Sequence, residues 1–288
     1  MNLTLDRRFS TAMAGPAIAA VIIAGGIAVS ASMAHLVRPS TVLLLIAAGL
    51  AAGFLNTVAS SGTAVTLPVM IGLGLHPTVA NATNRVPVLL GCVVAVWKFQ
   101  QAGQMPWKPA LRLSVPLLGG AVVGLIAAEN LSDMRTVRVT VFALGIAALL
   151  VLLNPSKWLA VEATVPVRAS GPLIAVAVFA IGAWAGLIVL DSATYMLAAL
   201  VLMAHFPLRE ANAIKVFSLG LVALLGVILF TVKGQIDWLW AIPLAVGAMA
   251  GSRVGARVSM GPNASRWVYS MLLLVLAGEA VRLAFLHL

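Results

Sequence analysis

Charge is what this sequence has least of. Only 9% of its 288 residues are Asp, Glu, Lys or Arg, against about 25% in a typical soluble domain. That scarcity excludes a soluble enzyme, a disordered chain and a coiled coil. Cysteine is scarcer still: Cys92 is the single one, so an intramolecular disulfide and a thiolate metal cluster are both excluded. It lies mid-run in apolar sequence, the setting of a buried, inert thiol. Catalytic patterns are missing as well. The histidines His35, His76, His205 and His287 fall near segment ends and far apart. No HExxH, paired-carboxylate or Ser-His-Asp arrangement occurs, so neither a membrane-embedded hydrolase nor a metal enzyme is supported and no cofactor is expected.

What is present is apolar. The hydrophobic share is 62% and the mean hydropathy +1.08, which leaves an all-α polytopic membrane protein, since only helices let long apolar runs satisfy their backbone in lipid. The net charge of +10 does not indicate nucleic acid, because the cations sit singly between apolar runs, as topology signals do, without a basic stripe. Polar punctuation divides the chain into eleven segments. The first, Thr11 to Ala34, is too long for a signal-peptide core and reads as an uncleaved helix over residues 1–38. Four long segments follow within 39–153: Thr41 to Val58, Val79 to Phe99, Pro109 to Ala128 and Met134 to Leu153. Four more lie within 171–288: Gly171 to Val189, Ala211 to Val232, Trp238 to Val258 and Arg266 to Leu286. Two segments are short, Gly62 to Leu75 and Ser192 to Phe206. At 1.5 Å per residue each reaches only ~21 Å of a ~30 Å hydrocarbon core.

The stretch 154–170 is the one clear linker, and it falls between two copies of a repeat. A gapless shift of 131 residues sets Ala80-Asn81-Ala82 on Ala211-Asn212-Ala213 and Gly103-Gln104 with Trp107 on Gly234-Gln235 with Trp238. The same shift pairs Gly120 and Gly124 with Gly251 and Gly255, and Ser61 and Thr63 with Ser192 and Thr194. Biased composition does not produce such polar and glycine coincidences together. With the N-terminus inside and both short segments crossing, cytoplasmic loops hold eleven Lys and Arg and outer loops five. With both short segments re-entrant the split is eight against eight. The positive-inside rule therefore favours crossing, and with it two inverted repeats of five segments each plus an extra N-terminal helix. Inverted repeats with an interrupted segment at matching places point to a secondary transporter.

Two cations fall outside the loop count. Arg85 and Lys215 each lie about one turn inside a helix, with Asn81, Asn84 and Asn212 on the same helix faces. A snorkelling side chain at a helix start accounts for one such residue. Two at matching places, each beside asparagine, suit a small oxyanion, with charge from the cations and neutral donors from the amides. The helix breaks Ser60-Ser61-Gly62-Thr63 and Asp191-Ser192-Ala193-Thr194 would add hydroxyls and free N–H groups, although ordinary N-capping uses the same residues. Asp191 reads three ways: a proton-coupling carboxylate, an N-cap, or the counter-ion of Lys215. The Gly120-x-x-x-Gly124 and Gly251-x-x-x-Gly255 motifs allow close helix contact within or between chains, so a homodimer stays open.

The stretches Gly53-Phe54-Leu55-Asn56-Thr57-Val58, Ala80-Asn81-Ala82-Thr83-Asn84-Arg85-Val86 and Arg209-Glu210-Ala211-Asn212-Ala213-Ile214-Lys215-Val216 resemble the TauE/SafE family of sulfite-exporter-like permeases. The resemblance runs from about Thr41 to the C-terminus. It departs at Ala59-Ser60-Ser61-Gly62-Thr63, where the family has a run of glycines. It implies transport of sulfite, an organosulfonate or a related sulfur-containing anion across the bacterial inner membrane. The expectation is a multi-pass secondary transporter working by alternating access, with protons as a candidate coupling ion. A passive anion channel, or a membrane assembly subunit without transport, is the alternative.

Overall fold

The computed structural model describes residues 38–59, 62–128, 171–187 and 192–261, with 263–274 apart from 265 and 272. The expected N-terminal helix, the segment Met134 to Leu153, the linker and most of Arg266 to Leu286 lie outside these residues. So do Ser61 and Asp191. The described helices are α1 (Pro39–Val58), α2 (Thr63–Gly72), α3 (Pro77–Gln101) and α4 (Trp107–Ala128), then α5 (Pro172–Leu187), α6 (Ser192–Ala198), α7 (Leu208–Val232) and α8 (Trp238–Met260). A π-helical turn, Ala199–Met203, continues α6. Five of them, α1, α3, α4, α7 and α8, are long and apolar enough to cross a membrane.

The 131-residue shift carries α3 onto α7 end for end. It also carries the turns. Gly103 (φ +68°) and Gly234 (φ +63°) take the left-handed conformation that only glycine adopts without strain. Each closes the same motif: Gln104 N–H donates to Phe99 O and Gln235 N–H to Phe230 O, both at 2.9 Å. This is the helix C-terminal arrangement in which the turn residues satisfy the last carbonyls.

Lipid supplies no hydrophobic drive between helices, so close contact depends on small residues. Two such seams join the copies reciprocally: α1 of the first lies against α8 of the second, and α5 of the second against α4 of the first. A Cβ on Gly49 or Gly53 would sit 2.1 Å from the carbonyl oxygens of Leu244 or Ala248. One on Gly120 or Gly124 would sit 1.9 Å from those of Phe179 or Ala183. Both glycine motifs are thus spent on contacts within the chain. Outward faces carry exposed Val115, Leu173 and Val176, as lipid-facing positions do.

These contacts also give direction. Residues 49 and 53 meet 244 and 248, so α1 and α8 run parallel. Asp237 N–H donates to Thr83 Oγ1, and Gly91 meets Ser252, so α3 runs with them. Because α1 and α3 point the same way, the chain returns between them through α2. Arg85 meets Gly226 while Cys92 meets Gly220, so α3 and its counterpart α7 are antiparallel. One end of the bundle therefore gathers Lys98, Lys108, Arg112, Arg209, Arg253 and Arg257, and the other Arg38 and Lys233.

Candidate functional site

Arg85 and Lys215 are among the most deeply buried side chains, 1% and 0% exposed. Neither pairs with a carboxylate among the described residues. The Arg85 guanidinium donates from Nη1 to Ala185 O (3.2 Å) and from Nη2 to Gly186 O (3.3 Å). It lies over the Phe230 ring at 5.9 Å, and its stem runs along Gly226. Lys215 Nζ donates to Asn56 O (2.9 Å) and Thr57 O (3.3 Å). The four acceptors fall within the last turn of α5 and of α1, where carbonyls lack helical partners and the dipole is negative. Each cation thus caps, across the repeats, the first helix of the other copy.

The cations do not share one ligand-sized space. Arg85 lies beside Gly226, and Lys215 precedes Gly226 by eleven residues on α7, roughly 16 Å along the axis. Their sequence positions are also offset by one, because the counterpart of Lys215 is Asn84 and that of Arg85 is Val216.

Around Lys215 the expected amide is in place. Asn212 Nδ2 donates to Thr57 O at 2.9 Å, while Asn212 Oδ1 is buried without a partner. Ser192 and Lys215 line a cavity of about 10 Å³ with Ser218, Met196, Leu219 and Val222. Thr194 is fully buried, and its hydroxyl has no partner. In the first copy the amide is used internally: Asn84 Oδ1 accepts from Thr66 Oγ1 (2.6 Å) and Asn84 Nδ2 donates to Thr63 Oγ1 (3.2 Å). Gly62 N–H donates to Asn56 Oδ1 at 2.8 Å, so that N–H is occupied by a side chain. Asn81 is only partly buried and makes none of these bonds. Two residues stand out only in three dimensions. Asn56 offers its carbonyl to Lys215 and its side chain to Gly62, and Ser218 brings an unbonded hydroxyl to the cavity. Their sequence signals are slight: a polar residue ending an apolar helix, and a serine three residues after a buried lysine.

The sequence model of the family described as "Sulfite exporter TauE/SafE" matches residues 45–280. The chain is 26% identical over 246 residues to the "Probable membrane transporter protein ORF9" of a Sinorhizobium species, covering 83% of this chain and 90% of that one. It is 22% identical over 254 residues to the "Probable membrane transporter protein YfcA" of Escherichia coli K12, covering 87% and 92%. A shorter match, 30% over 81 residues, links 28% of this chain with 30% of the "Probable membrane transporter protein YunE" of Bacillus subtilis. No solved structure matches the chain.

Proposed function

The chain belongs to the sulfite exporter TauE/SafE family and is a multi-pass membrane transporter, and from that premise we propose that it is a secondary transporter of a small sulfur-containing oxyanion in the inner membrane. The observation that carries this reading is the pair of buried cations whose acceptors among the described residues are all backbone carbonyls. A cation at the centre of a membrane helix costs about 2.5–3.5 kcal/mol by insertion scales. Carbonyl dipoles offset part of that and leave the net charge, which an anion would complete. A scaffold subunit has no use for such residues.

In this reading the two copies are inverted, which the antiparallel crossing of α3 and α7 and the return through α2 support. The cation-rich end is cytoplasmic, by the positive-inside rule. Arg85 and Lys215 then lie in opposite halves of the membrane, each beside a helix break. One repeat rocking against the other would expose Lys215, Asn212, Ser192 and Thr194 to one side, and Arg85, Asn81, Asn84 and the break at Ser61, Gly62 and Thr63 to the other. Asp191 is assigned the coupling proton; Asp191→Asn should leave anion exchange intact and abolish transport driven by a pH gradient.

A thermal-shift screen of the detergent-solubilised protein against sulfite, sulfate, thiosulfate, taurine and sulfoacetate tests substrate class, because a ligand that binds the folded state stabilises it. A shift with at least one sulfur oxyanion is expected. No shift with any of them, together with no flux in liposomes, would overturn the reading. Saturable counterflow would mark a carrier and single-channel currents a pore.

A further inference from the structure

The two short helices end differently, and the difference is a strained turn. In the first copy α2 closes on a glycine. Leu73 N–H donates to Val69 O (3.1 Å), Gly74 N–H to Ile71 O (2.9 Å) and Leu75 N–H to Met70 O (3.0 Å). Gly74 takes φ +101°, as the residue after a helix end does in this motif. A Cβ on Gly74 would meet nothing within 4 Å, so glycine stands there for its backbone and not for space.

The 131-residue shift carries this turn onto Ala204-His205-Phe206. His205 keeps the left-handed conformation at φ +60°, alone among the described residues that are not glycine. A Cβ makes that conformation unfavourable. The half-buried ring offsets none of the cost, since it makes no hydrogen bond among the described residues. The closing bonds are displaced as well. Ala204 N–H donates to Ala199 O (3.0 Å) and Phe206 N–H to Leu200 O (2.9 Å). Each reaches one residue further back than its counterpart in the first copy, so the π turn holds a residue more than an α turn would. Such segments recur where helices serve function, and backbone strain persists only where the surroundings impose it.

The turn also has a position that matters. It joins α6 to α7, and these two helices share the small cavity, with Ser192, Ala193 and Met196 on one side and Lys215, Ser218 and Val222 on the other. At about 10 Å³ the cavity has room for about one water, so α6 must move before anything larger enters. Passing the extra residue from the π turn to the connection would turn α6 by one position, about 100°. That rotation takes Met196 off the cavity and frees residue 205 from the left-handed conformation.

We propose that Ala199–His205 is the gate of the Lys215 cavity. The closed form holds the π turn and a strained His205; the open form has an α turn and a relaxed residue 205. The strain raises the closed form towards the open one and lets the cavity open readily. The first copy has no such device, because Gly74 takes its turn without strain and α2 is α-helical to its end.

This inference rests on the transporter reading, and its test separates the two. In full-length protein in liposomes, a Val222→Cys reporter in a Cys92→Ala background lines the cavity at 2% exposure in the native residue. Its rate of modification by a small methanethiosulfonate reagent reads opening without any substrate. Adding His205→Gly relieves the closed form, and the first copy shows that glycine fits the turn. The rate should fall about five- to thirtyfold, and counterflow of ethanesulfonate should fall with it. His205→Ala keeps the Cβ and should react at least as fast as the unsubstituted reporter. Cys92, buried outside the cavity lining, should react at one rate with and without His205→Gly, because that change acts on the gate and not on unfolding. An unchanged rate at Val222→Cys, equal slowing by His205→Ala, slowing at Cys92 as well, or a slower reaction with undiminished counterflow overturns the proposal and leaves the transporter reading standing. A wild type without counterflow for any sulfur oxyanion overturns the transporter reading, while the rates at Val222→Cys still decide whether the turn opens the cavity.

Discussion

Replacing each buried cation by methionine separates a charge kept for a ligand from one that holds the fold. In Lys215→Met the ammonium disappears, but only one of its acceptors loses its bond. Thr57 O still receives Asn212 Nδ2 at 2.9 Å, so among the described residues Asn56 O alone is left without a donor, at a cost of about 1–3 kcal/mol. Against that, an ammonium no longer has to be held out of water, and that penalty is several kcal/mol per ion. The two nearly cancel or favour the variant. In Arg85→Met both Ala185 O and Gly186 O are left without a donor among the described residues, the contact with Phe230 is lost, and a guanidinium, being more weakly hydrated, gives back less on removal. The second orphaned carbonyl alone sets Arg85→Met about 1–3 kcal/mol below Lys215→Met, roughly 2–12 °C in thermal midpoint at 2–4 °C per kcal/mol. A thiol-reactive dye reads this directly, since Cys92 is the single cysteine and is buried until the protein unfolds. Lys215→Met should melt at or above the wild type and lose the shift induced by substrate. A Lys215→Met protein that melts well below Arg85→Met would refute the reasoning and make Lys215 a structural clasp.

Other outcomes follow from the packing. Gly120→Ala and Gly251→Ala would place a Cβ about 2 Å from a backbone oxygen of the facing helix, so each should destabilise by at least ~2 kcal/mol. Gly119→Ala, which meets only the edge of the Phe179 ring at 3.6 Å, should melt within a degree or two of the wild type. Asn84→Ala leaves the Thr63 and Thr66 hydroxyls without their mutual partner and should lower stability by about 1–3 kcal/mol, read as a lower thermal midpoint. In a Cys92→Ala background, single cysteines at Arg257 and Lys233 should label with a membrane-impermeant thiol reagent from opposite faces of the cell membrane, and one at Lys108 from the same face as Arg257. Labelling of Lys233 and Arg257 from one face would contradict the assigned topology.

The repeat was legible because backbone geometry preserves it. The left-handed turns at Gly103 and Gly234 tolerate no other residue cheaply, so they survive in both copies as letters in the sequence. The short segments were legible for a similar reason, since polar residues interrupt an otherwise apolar run only where the chain bends. The partnership of the cations was not. An offset along the chain says that Asn81 and Asn212 are equivalent, but not that α3 and α7 cross antiparallel. That crossing is what separates Arg85 from Lys215 and leaves each on the other copy's helix end. Ser218 escaped for the opposite reason. A search for symmetry favours residues that repeat, and Ser218 matters because its counterpart, Pro87, lacks a donor. Asn56 could be read as a break in an apolar helix, but its two partners, Lys215 and Gly62, come from different copies and are joined only by folding.

The central claim is that a buried lysine with no carboxylate partner among the described residues exists to carry an anion across the membrane. Uptake of radiolabelled ethanesulfonate into proteoliposomes preloaded with the unlabelled anion tests it most directly. Wild-type protein should give saturable counterflow well above protein-free vesicles, and Lys215→Met, reconstituted to the same density, should fall to the protein-free rate. Counterflow that persists at the wild-type rate in Lys215→Met would contradict the account.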